Sequence, residues 1–145
     1  MSYYVSFFLG DFTNEQREDF DWDKMPCLLS IPTRSEIGEC FNRFPLDRVT
    51  LATHDKIESI QRNLDDKIQE KKHIITEYKE IKESILKNIP VKEGEYEDAT
   101  YHISSLNTEI KDLEDSIVWI VKQKGVLDII DDLISSKFSI TVIVG

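Results

Sequence analysis

The sequence predicts an α+β fold: a small mixed α/β head of about four strands and one short helix, with a long antiparallel helical hairpin inserted before the last strand. Three observations predict it. Aromatic and β-branched runs crowd residues 1–52 and return at 138–145. Between them, residues 53–135 carry apolar side chains at alternating steps of three and four, the spacing of a helical seam. Pro90 and Gly94 interrupt that pattern near its middle, where a reversal would let the two stripes face each other. At 145 residues the chain has the length of one domain, divided here into a head of 1–52 plus 136–145 and an arm of 53–135.

The elements follow in order. YYVSFFLG, residues 3–10, reads as a buried strand stopped by Gly10. DFTNEQREDFDWDK is polar and acidic and reads as a loop. CLLSI, between Pro26 and Pro32, is a second short strand. TRSEIGECFNRF predicts the short helix, capped by Thr33 or Ser35, with Ile37, Cys40, Phe41 and Phe44 on one side and Pro45 ending it. RVTLAT is the third strand.

A helix starting at Thr53 or Asp55 then has apolar seam positions 57, 60, 64, 74, 78, 81 and 85, with Lys67 and Lys71 filling the gap. Ile68, Ile75, Leu86 and Ile89 widen the stripe. Pro90 stops the helix, since it has no N–H to donate and disfavours helix in the residue before it. The pattern resumes at 99, 103, 106, 110, 113, 117 and 120. Reversal near Gly94 puts Ile85 near Ile103, Tyr78 near Ile110 and Ile74 near Leu113, and Glu97 and Asp98 at the start of the return helix. Lysine stems pack well on apolar surface, so Lys67 and Lys71 are expected to lead their ammonium groups to water. FSITVIVG is the last strand, too apolar for an open sheet edge.

SIVWIV, residues 116–121, breaks the two-faced pattern. Ile117 and Ile120 serve the seam, leaving Val118, Trp119 and Val121 over. An all-round apolar helix is covered all round. A second copy of the chain, the head (if Gly125 breaks the helix), or a strand conformation would each account for it. The size of the patch favours a second copy.

Chemistry-bearing residues are sparse. Asp19, Asp21 and Asp23 alternate along the acidic loop. They fail the calcium-loop pattern, which needs Gly and Glu where Lys24 and Ser30 stand. On a strand they would share a face and could hold a divalent metal; otherwise they form a solvated loop anchored by Phe20 and Trp22. His54, His73 and His102 have no Cys or His at ligand spacing. Cys27 and Cys40 are expected to be free thiols, and no glycine-rich phosphate cradle or nucleophile elbow occurs. Tyr96 and Tyr101, set among acids near the tip, are candidate partner contacts.

With 28 acidic against 18 basic residues, the formal net charge is −10. That opposes binding to a phosphate backbone or an anionic membrane and permits a basic partner. No basic n-region precedes the first apolar run, and no run is long enough to span a bilayer, so a cytoplasmic protein is expected (host cytoplasm if viral). Lysine and isoleucine use suggests an AT-rich genome, that of a low-GC microbe or its virus. The sequence thus points to a non-enzymatic interaction protein without cofactor. It would self-associate through the coiled-coil-like hairpin and bind a protein partner, as an acidic inhibitor or decoy of a basic surface. The alternative is a small metal-dependent enzyme or small-ligand binder using the acidic head.

Overall fold

The computed structural model describes residues 3–46, 48–88 and 93–145, with the backbone alone for Arg17 and residues 93–96. The strands are β1 (Tyr4–Leu9), β2 (Cys27–Pro32), β3 (Val49–Leu51) and β4 (Ile140–Val144), and the long helices are α1 (His54–Lys87) and α2 (Glu93–Ser135). Both helices lie in sequence between β3 and β4, as the fold class predicted. By packing, the chain divides into two compact units: Met1–Asp65 with Lys122–Gly145, and Asp66–Val121.

In the first unit the four strands form one antiparallel sheet in the order β2-β1-β4-β3. The last strand is therefore internal. Val142 stands opposite Phe7 of β1 and Thr50 of β3, and every residue of β4 is buried. Alternate residues of a strand point to opposite faces, and both faces of this sheet are covered. On one, Phe7 packs edge-on against Phe41 and Phe44 with ring centroids 6.2 and 5.6 Å away. On the other, Phe8 and Ile143 pack with Phe20, flanked by Phe12, Met25 and Val49. Two-sided cover explains why β1 and β4 are apolar at consecutive positions.

Two buried polar residues of the sheet, Ser6 and Thr141, are paired. Ser6 and Ser30 share a hydroxyl–hydroxyl hydrogen bond of 2.9 Å across β1 and β2. The Thr141 hydroxyl donates to the Gly10 carbonyl (2.6 Å) and accepts from the Phe12 N–H (3.0 Å). This holds the chain in a turn at Gly10, whose φ of +123° disfavours any side chain.

The predicted short helix over 33–44 is reduced to a 3-10 turn, Gly38–Phe41. Neither expected cap acts as one: the Ser35 hydroxyl donates back to the Pro32 carbonyl and that of Thr33 to the Tyr3 carbonyl. Gly38 lies so close to the Thr33 carbonyl that a Cβ would sit 2.1 Å from its oxygen. The apolar spacing still succeeds, because Ile37, Cys40, Phe41 and Phe44 are all buried.

Thr53 caps α1, its hydroxyl accepting from the Lys56 N–H at 3.4 Å. The Ala52 N–H donates to the Ile140 carbonyl at 2.8 Å, tying the entry of α1 to the start of β4. At the far end of α2, the Phe138 N–H reaches the Leu133 carbonyl (3.0 Å) while Lys137 takes φ of 73°. That is a left-handed cap with lysine in the place glycine usually fills.

Within each unit the helices face each other antiparallel. In the first, His54 bonds Asp131, and Gln61 donates to Asp128 and the Lys124 carbonyl. Lys124 also pairs with Asp65. In the second, Lys79 lies 4.0 Å from Glu114. There Ile85 and Asn88 share a shallow cleft with Asp98, Ala99 and His102. The register predicted from the stripes is met to within a turn. The predicted starting point of the return helix is not: α2 begins at Glu93, so Gly94 lies inside it and Glu97 and Asp98 stand in its second turn. Pro90 lies outside the described residues.

The seam of α2 follows the prediction, with Leu106, Ile110 and Ile120 buried. That of α1 is rotated by one residue after Leu64: Ile68, Lys71 and Ile75 are buried, Lys67 and Ile74 are half-buried, and Ile81 is exposed. Turning toward Ile68 replaces a lysine by an isoleucine in the contact while keeping the steps of four and three. Ile68→Ala should therefore lower stability by ~2–4 kcal/mol through lost burial and cavity formation, and Ile81→Ala by under ~0.5 kcal/mol. Urea unfolding of both variants checks the rotation.

Candidate association face on helix α2

In the second unit, residues 116–121 are helical, within an α2 that continues unbroken through Gly125. The strand reading and the glycine-break reading are thereby corrected. Gly125 has open space where a Cβ would stand, and the helical hydrogen bonds run on past it. With the helix fixed, the six side chains separate by direction. Ile120 is fully buried and Ile117 half-buried in the seam. Val118, Trp119 and Val121 point outward, with 56, 36 and 52% of their surfaces exposed. Exposed Asp112, Glu114, Asp115 and Lys122 flank them in sequence. A cluster of large apolar side chains with a charged rim is the usual make-up of a binding patch.

The other candidates separate differently. Tyr101 is 79% exposed on α2, and the side chain of Tyr96 lies outside the described residues. Asp19 ends a 3-10 turn, Arg17–Asp19, and Asp21 and Asp23 follow in a loop. They do not lie on a strand, so the strand alignment that would place them on one face is absent. Asp21 instead accepts from the Asp23 N–H (3.3 Å) and pairs with Lys24 (3.5 Å). The alternate aromatics explain the pattern: Phe20 is buried, and the Trp22 ring lies 5.5 Å from Phe8 and 5.9 Å from Phe20. The aspartates are the outward residues of a segment held down by its rings.

Three further features emerge from the fold. One is an open cavity of about 430 Å³ beside the sheet in the first unit, walled by Val5, Phe41, Phe44 and Leu46, with Glu39 and Asn42 as polar members. Its walls come from four separated segments, which no local pattern connects. Another is His54, whose partners are Glu58 four residues on and Asp131 on the other helix. The carboxylate at the fourth position was visible in sequence; Asp131 required the register. The hydrogen bond to Asp131, with that residue's charge, raises the His54 pKa above the ordinary histidine value.

The third is Lys71. It is 8% exposed, so most of its stem is enclosed, as expected of a lysine packed on the seam. Burial pushes its pKa down. Neither Cys27 nor Cys40 is in a disulfide, and partial burial raises the Cys27 pKa. Among the described residues, no helix is long and apolar enough to cross a membrane.

Set against known proteins, the chain matches no family model, no curated protein and no solved structure.

Lys71→Met keeps the packing stem and removes the charge that burial disfavours. The lysine's folded pKa lies below its unfolded one, so the penalty is full below the folded value and is relieved as pH rises toward the unfolded value. Raising the pH should thus stabilise the parent relative to the variant. Thermal melts followed by circular dichroism at neutral and alkaline pH check this.

Proposed function

We propose that this chain is a non-enzymatic interaction protein. It self-associates through the outward face of α2 at Val118, Trp119 and Val121, and engages a basic protein surface as an acidic inhibitor or decoy. The observation that carries the first part is the cluster of three large, outward apolar side chains within a single turn of one helix. Leaving them in water forgoes roughly 25 cal/mol for each Å² of apolar surface that could be covered. A second copy is a suitable cover because a two-fold contact is self-complementary: one patch meets the same patch and both are buried together. Support for the second part is the formal net charge of −10, which favours encounter with a positively charged surface over a phosphate backbone. Tyr101, exposed among acidic neighbours, suits a polar contact with such a partner.

A second reading, a small-ligand binder using the sheet unit, draws on the cavity bounded by Phe41 and Phe44. Concave apolar walls with a few polar groups are the usual form of a ligand site.

Sedimentation velocity over the micromolar range tests self-association. The parent should shift to faster species as concentration rises, and Val118→Asp should remain monomeric with an unchanged helical spectrum. A parent that sediments as a monomer throughout contradicts the proposal.

A further inference from the structure

At the start of α1, in the first unit, His54, Asp55 and Glu58 bring one ligand atom each to within 4.8 Å of the others. Three atoms so spaced lie no more than ~2.8 Å from a common centre, against metal–ligand bonds of ~2.1 Å. Closing the difference takes under ~1 Å of movement by exposed side chains. One edge is nearly at coordination spacing already: the His54 Nε2 is 3.3 Å from a Glu58 oxygen, Oε2.

The surroundings orient both groups. Asp131, from α2, lies 2.8 Å from the His54 Nδ1. With the proton on Nδ1 and donated to that carboxylate, Nε2 keeps its lone pair and turns it toward Glu58. A carboxylate behind a histidine is the common support of a metal-ligating imidazole. Arg62 lies 3.4 Å from the Glu58 Oε1, holding that oxygen and leaving Oε2, the one beside the imidazole, for a ligand. Each of these two ligands thus has its own anchor, and the anchors lie outside the ligand triangle.

We propose that His54, Asp55 and Glu58 form a divalent-cation site of the zinc class, with Asp131 and Arg62 as positioning residues. An imidazole nitrogen beside two carboxylates suits zinc, cobalt or nickel, whereas magnesium and calcium prefer oxygen ligands throughout. Three protein ligands leave a coordination position open to solvent. The site shares no residue with the apolar face of α2, so the two proposals stand or fall separately.

The test is calorimetric titration of the chelator-treated full chain with zinc ion alone, in a Cys27→Ser background that removes the exposed thiol. Saturable binding of a single ion is expected, lost in His54→Ala and weakened ~10- to 100-fold in Asp131→Asn. Cobalt ion should give a visible absorption band that His54→Ala abolishes. Should His54→Ala lose its helical circular dichroism signal, Glu58→Gln gives the same reading with a near-isosteric side chain. No zinc binding by the parent overturns the proposal. So does affinity unchanged in the folded ligand variant, or magnesium binding as tight as zinc.

Discussion

The sheet depends on the placement of β4. This strand pairs on one side with β1 and on the other with β3, and all five of its residues are buried. Without it, β1 would lose half its ladder and β3, only three residues long, would have no partner. Backbone groups buried without partners are costly, so the rest of the sheet cannot form as seen until the chain has completed both helices and returned. The ties at the return are specific: the Ala52 N–H to the Ile140 carbonyl, and the left-handed cap at Lys137 that ends α2. Thr141, in the middle of the arriving strand, also fixes the Gly10 turn. A contact network that waits on so distant a segment has high contact order, a trait of slow folding.

Much of this was legible because the relevant physics is periodic. Alternating three- and four-residue steps identified α1 and α2 and gave their register to within a turn. The consecutive apolar residues of FSITVIVG announced a strand with no open edge. Where the reading failed, local pattern competed with an unseen neighbour. Residues 33–44 have a helical apolar spacing, but Gly38 lies against the Thr33 carbonyl and only a 3-10 turn forms. Two frames were available to α1 beyond Leu64. Ile68 and Ile75 against Lys67 and Ile74 decided between them, and Lys71, common to both, was left inside. The cavity walls and the Asp131 partner of His54 join residues far apart in sequence, so they appear only when the chain is folded.

The acidic composition and the outward apolar residues of α2 belong together physically. A net charge of −10 keeps like molecules apart at long range, while apolar contact acts at short range and is indifferent to sign. Under the proposed self-association, these two features would confine contact to one patch rather than allow general stickiness. Val118, Trp119 and Val121 supply such a patch on a helix whose opposite side is already committed to α1 through Ile120. The loop aspartates do not compete for this role, since Phe20 and Trp22 fix them as the solvent side of an anchored segment.

The central claim, that a second copy covers the α2 face, is tested most directly by the fluorescence of Trp119 in a Trp22→Phe variant, where it is the sole indole. If copies pair through this face, emission should lie at short wavelength in concentrated solution. It should move to longer wavelength on dilution, as the ring passes from a dry contact to water. Emission at one wavelength across the whole dilution series, with the fold intact by circular dichroism, would contradict the account.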